Sequence, residues 1–220
     1  MSVKRELIKG TLILTAAGFA ARLLGFFNRV YLANLISNAE LGRYQLIFPI
    51  FMFCMAVSCA GIQVAVSKMV AAYHGAGKKK AIRQTIKSAG ITSLIVALLS
   101  SGCIIAFSEP ISRWILKDIS CRGYLVIMAI AVPFAAVHTC VGGYFYGIRH
   151  TAVPAVTQLL EQVVRVATIY LMGAMMYQKG KIDASVAVWG LAAGEIFSCF
   201  LTWICYRFSI RSQNGGSGSG

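Results

Sequence analysis

Six long apolar runs, separated by short segments rich in lysine and arginine, constrain this chain more than any other feature. They fall at about 9–35, 44–73, 85–107, 123–147, 154–177 and 184–207. Each is long enough to cross the roughly 30 Å hydrocarbon layer of a bilayer as a helix. In lipid every backbone N–H and C=O must be satisfied within its own segment, which an α-helix does. The expected fold class is therefore all-α, a polytopic membrane helix bundle of six transmembrane helices. Thr11–Ala21 has the look of a short signal-peptide core, but the helical pattern runs on through Arg22 to Leu35 and reads as a span.

Composition agrees. Only 13% of the 220 residues are charged and 58% are hydrophobic, against about 25% charged in ordinary soluble domains. The net charge of +14 could suggest nucleic acid, but the basic residues sit between apolar spans rather than on one basic face, so no nucleic acid partner is expected. Loop bias accounts for the excess. The segments taken as inside hold eleven lysines and arginines against the single acid Glu6, with the densest group at Lys78, Lys79, Lys80, Arg83 and Lys87. Those taken as outside, near Ser37–Arg43, Ser108–Arg122 and Gln178–Asp183, hold six basic residues against four acids. The asymmetry places both termini in the cytoplasm. Ser108–Arg122, with Ile111, Trp114 and Ile115, is expected to hold a short helix lying at the outer interface. Pro49 and Pro133 are expected to kink their helices.

The seven cysteines show no metal-ligand spacing and no disulfide framework. Walker A, HExxH and triad patterns are absent as well. No metal, no cofactor and no enzymatic activity are expected. The tail Gly215–Gly220, GGSGSG, reads as an engineered linker, which leaves 1–211 as one six-helix lobe and 212–220 as a tail.

Charges inside the spans point to function, because an ionisable side chain within a membrane must face protein or a water-filled cavity. Arg22 and Arg29 lie seven residues apart in the first span, close to two full helical turns, so both leave one face roughly 10 Å apart. In the fifth span Gln158, Glu161, Gln162 and Arg165 form a single polar stripe about 100° wide. Glu161 and Arg165 are an i,i+4 pair with the acid first. They read either as a self-neutralised pair that pins packing or as the polar wall of a cavity facing Arg22 and Arg29. Glu195 in the sixth span is a partner for a first-span arginine, a titrating group, or a structural counter-ion. His138 reads as a hydrogen-bonded packing histidine in preference to a proton relay, and Asn28 and Gln63 as cavity lining. Arg22, Arg29 and Arg165 outnumber Glu161 and Glu195, which suits an anion, and phosphate above all.

The segments Lys9–Ala33 (KGTLILTAAGFAARLLGFFNRVYLA), Leu41–Ile50 (LGRYQLIFPI), Gly61–Ala71 (GIQVAVSKMVA), Gly142–Gly147 (GGYFYG) and Gln158–Tyr170 (QLLEQVVRVATIY) resemble the stage V sporulation protein B family. That family lies in the polysaccharide-transport branch of the multidrug/oligosaccharidyl-lipid/polysaccharide exporter superfamily. The resemblance implies a flippase of undecaprenyl-diphosphate-linked, lipid II-like sugars in the bacterial cytoplasmic membrane, serving spore cortex or cell-wall peptidoglycan. Its partners would be membrane lipids, the lipid-linked substrate, and a missing C-terminal lobe or a second copy of this chain. Arg22 matches an arginine that related flippases place in their central cavity. Their second arginine of this helix falls at Asn28, beside Arg29, and their second-helix arginine has no counterpart among Phe51–Phe53. The rival expectation, motivated by the GGSGSG tail, is a non-transporting scaffold or an engineered half that self-associates.

Overall fold

A computed structural model describes residues 3–178 and 182–215, without the side chains of 3–9, Ala60, Gln178 and 212–215. The charges expected at Lys4, Arg5, Glu6, Lys9, Lys179 and Lys181, and the tail beyond 215, lie outside the described residues. Among the described residues all regular structure is helical. The helices are α1 (Val3–Leu35), α2 (Asn38–Met55), a π-helical turn (Ala56–Ala60), α3 (Gly61–Gly75) and α4 (Lys79–Ala106). A short α5 (Ser108–Pro110) and a second π turn (Ile111–Ile115) follow, then α6 (Cys121–Gly147), α7 (Ala152–Gln178) and α8 (Ser185–Gly215). The second span is α2, the π turn and α3 run together, and the six apolar spans are all present.

Two segments expected to be loops are helical. Ser37–Arg43 is not a polar turn: α2 begins at Asn38, with the Ser37 hydroxyl accepting from the Glu40 backbone N–H at 3.3 Å. Ser37 and Glu40 have capping-box spacing, and that cap starts the helix well before the apolar run does. The basic stretch His74–Lys87 is likewise mostly helix. α3 stops where Gly77 takes φ +68°, the Lys78 N–H reaching back to the Tyr73 carbonyl at 2.9 Å, and α4 restarts at Lys79. The departure from α geometry in the second span comes at Ala56–Ala60, C-terminal to Pro49. There the Ser58 carbonyl is met by the Ser93 hydroxyl of α4 at 3.1 Å. A buried polar side chain thus ties the irregular backbone to its neighbour. Between α4 and α6 the chain is helical over 108–115, with Trp114 and Ile115 exposed.

α6 is the central helix. It packs against α2, α3, α4 and α8, and 56% of its apolar stretch is buried, against 6% for α1. α1 lies at the edge and packs chiefly on α7. Three apolar clusters hold the bundle. One surrounds the N-terminal half of α6 (Ile47, Phe51, Leu125, Met128, Val132, Leu191), and a second its C-terminal end (Val66, Val70, Ile86, Tyr144, Phe145). The third joins α1, α7 and α8 through Leu32, Ile169 and Val186. Between them the interior is polar.

Candidate functional site

The polar interior is built by α6, α7 and α8 where glycines let the helices close up. On α8, Gly190 and Gly194 are one turn apart. A Cβ at Gly194 would sit 3.2 Å from the Glu161 carbonyl oxygen, and one at Gly190 would stand 3.2 Å from that of Arg165 and against the Ile169 side chain. This small-xxx-small contact brings the α8 backbone onto α7. It sets Glu195, the residue after Gly194, beside the α7 stripe. Arg165 Nη2 then donates to Glu161 Oε1 at 2.6 Å and to Glu195 Oε1 at 3.5 Å. From α6, His138 Nδ1 comes within 3.3 Å of Glu195 Oε2.

Glu161 and Glu195 are both buried. Among the described residues His138 Nδ1, Glu195 Oε2 and Arg165 Nε are enclosed without a hydrogen-bond partner. Donor atoms of His138, Glu161 and Glu195 lie within 4.8 Å of one another, a spacing that could hold a metal ion. The Arg165 guanidinium, however, already faces one oxygen of each carboxylate. A divalent ion would be set against a fixed cation, so the donor set fits a single positive charge better than two.

Through His138 and Glu161 the cluster opens into a cavity of about 250 Å³ lined by Gln63 of α3, Thr139 and Tyr146 of α6, Thr157, Gln158 and Gln162 of α7, and Thr202 of α8. Its lining runs along α6 from His138 to Tyr146 and along α7 from Gln162 back to Pro154. The cavity therefore extends from the middle of the spans toward the α6–α7 turn. Gln158 and Gln162 line it as the stripe predicts, and Gln63 joins from α3.

Arg22 and Arg29 stand elsewhere. Both are exposed on α1, and among the described residues neither makes an ion pair with Glu161 or Glu195. Of the readings open to Glu195, the arginine it meets is Arg165 of α7 rather than one of the first span. Asn28 is buried with Oδ1 unpartnered. Arg29 also borders a second cavity of about 430 Å³ between α1 and α2, with Tyr44, Gln45, Phe48 and Pro49. The sequence named His138 and Glu195 separately and did not join them in one cluster. The four-residue spacing of Gly190, Gly194 and Ser198 was the available signal.

The fold is that of a polytopic membrane helix bundle. An outward-facing multidrug resistance MATE-family transporter of the MOP superfamily superposes with a TM-score of 0.77 over 90% of this chain and 44% of that one, at 14% identity. The chain belongs to the polysaccharide biosynthesis protein family, which it matches over residues 7–216. It is 29% identical to stage V sporulation protein B of Bacillus subtilis (strain 168) over 93% of this chain and 40% of that protein. Lipid II flippase MurJ of the same organism is 25% identical over 77% of this chain and 32% of that protein. The chain thus spans well under half the length of these relatives. With six apolar helices and such relatives, it is a multi-pass bacterial membrane protein.

Proposed function

We propose that this chain is one six-helix lobe of a carrier that moves a lipid-linked oligosaccharide across the bacterial cytoplasmic membrane, in peptidoglycan assembly for cell wall or spore cortex. Arg22 and Arg29 meet the diphosphate of a lipid II-like substrate. The observation that carries this reading is the contrast between the arginines. Arg165 is neutralised in the interior, whereas Arg22 and Arg29 stand exposed on an apolar helix at the edge of the bundle and, among the described residues, without an ion pair. Two cations left open on a membrane helix call for an anion or a water-filled path, and guanidinium forks suit phosphate oxygens. The stage V sporulation protein B and lipid II flippase relatives support the choice of substrate. Residues 1–211 form the lobe, with both termini cytoplasmic and Asn28, Gln158, Gln162, Glu161, Arg165 and Glu195 lining the interior behind the arginines. A second lobe, or a second copy of the chain, faces α1 across the path, and rocking of one against the other exposes the site to each side in turn.

Binding of a polyprenyl-diphosphate sugar to the chain in nanodiscs tests this. Arg22→Ala and Arg29→Ala are expected to weaken binding tenfold or more each, about the worth of a charge-assisted hydrogen bond. Unchanged affinity in both would refute the arginine site. A strict monomer that neither binds nor moves the lipid would favour a scaffold.

A further inference from the structure

The interior cluster has an unbalanced charge. With Glu161 and Glu195 both ionised and His138 neutral, the one guanidinium of Arg165 leaves one negative charge uncompensated. It lies near the middle of three membrane spans, where an unpaired charge is costly. The two atoms best placed to share a further proton, His138 Nδ1 and Glu195 Oε2, are 3.3 Å apart, buried, and have no other partner. A polar cavity lined by His138 and Glu161 leads from the cluster toward the α6–α7 turn. Thr202 on its wall is buried with an unpartnered Oγ1, a group that ordered water would satisfy. On the opposite side Ala131, Val132 and Ala135 of α6 and Val188 and Leu191 of α8 are fully buried. Apolar packing closes that side, and the cavity supplies an approach from the other.

We propose that His138, Glu161 and Glu195 form a proton-binding site that takes up one proton through this cavity and holds it between His138 and Glu195. The proton comes from hydronium in the cavity, adds to Glu195 Oε2 within reach of His138, and returns to water when the site empties. Uptake cancels the odd charge, with no bond formed or broken elsewhere. Other groups facing Glu195 are Arg165 and Glu161 from α7, Cys199 from its own helix, and Cys59 from the first π turn. Neither cysteine supplies a countercharge. The single nitrogen donor and the guanidinium already on the carboxylates favour a proton over a metal cation. Within the carrier reading this site supplies the coupling ion, a step that rests on that reading; the binding of the proton itself does not.

Infrared difference spectra of the chain in nanodiscs, recorded without substrate between about pH 5 and pH 9, test the site directly. A protonated-carboxyl band that titrates in this range is expected. Glu195→Gln abolishes it, Glu195→Asp retains it, and Glu109→Gln, an exposed carboxylate outside the bundle, leaves it unchanged. His138→Gln keeps the band and moves its midpoint by about one pH unit, which reads the same site should Glu195→Gln fail to fold. Absence of the band, its persistence in Glu195→Gln, an unmoved midpoint in His138→Gln, or a response to Na⁺ at fixed pH would each overturn the proposal. Because no lipid is present, these outcomes are independent of whether the arginines of α1 bind diphosphate.

Discussion

Asp118, between the second π turn and α6, accepts from Arg43 Nε at 2.6 Å and from the Ser120 N–H at 2.9 Å. The Arg43 hydrogen bond, more than any other contact, holds this carboxyl below the usual aspartate range. A carboxylate whose folded-state pKa is depressed adds stability above its unfolded value of about 3.9, and loses it as the pH falls through that value and below. The side chain is about 30% exposed, so water screens the pair and the contribution is small. Asp118→Asn is expected to lower the melting temperature slightly at pH 7, with the gap to wild type closing below about pH 3. Melting curves at both pH values check this, and an equal gap at the two would show that the ion pair is not the cause. At this scale the sequence revealed residue types but not partners. Glu195 was visible as an isolated acid and His138 as an isolated base. Helical periodicity reports the face a residue occupies, not which helix covers that face.

Helix contacts in this bundle are set by glycines. On α6, a Cβ at Gly143 would lie 2.8 Å from the Gln63 carbonyl oxygen, and one at Gly147 would lie 2.7 Å from Val70 and 2.9 Å from the Ser67 carbonyl oxygen. Two of those obstacles are backbone, which cannot rotate away, so α3 must retreat from α6 if either glycine gains a methyl. Gly147→Ala is expected to cost about 1–3 kcal/mol, read as a lowered melting temperature in detergent. Gly123→Ala, where nothing lies within 4 Å of the added atom, is expected to be neutral. Equal effects of the two would show that helix propensity rather than close packing decides. The spans themselves were legible, because a membrane-length apolar run leaves the backbone no option but to pair internally. Their ends were less so. The start of α2 rests on a Ser37–Glu40 cap, and that of α4 on the turn at Gly77, both within segments whose polarity suggested loop.

Across the whole molecule, one end of the bundle is gathered on Glu40. Its Oε2 accepts from Tyr124 Oη of α6 and from the Ala184 N–H ahead of α8, each at 2.9 Å, while Oε1 pairs with Arg43. Arg43 in turn carries Asp118, so one carboxylate links the second span, the 111–118 segment, the fourth span and the sixth. Glu40→Ala is expected to loosen this end and expose Cys121, which is fully buried beside it. In a background retaining Cys121 alone, maleimide labelling should rise several-fold in the variant, and unchanged labelling would show that apolar packing holds this end without the carboxylate. At the opposite end the polar cavity reaches toward the α6–α7 turn. The two ends therefore differ in kind, one clasped by charge and the other opened by a polar cavity.

The sequence alone determined the solvent, the number of crossings and the polar stripe of α7, because these follow from local quantities: apolar length, helical period and the cost of charge in lipid. It also marked Arg22 and Arg29 as needing an explanation. Only the tertiary structure decided which charges meet. Close approach at Gly190 and Gly194 brought Glu195 to Arg165, packing of α6 on α8 added His138, and the edge position of α1 left Arg22 and Arg29 open. Pairing depends on which helices are neighbours, and that is settled by where small residues let backbones touch, a property of two surfaces at once that no single stretch of chain contains.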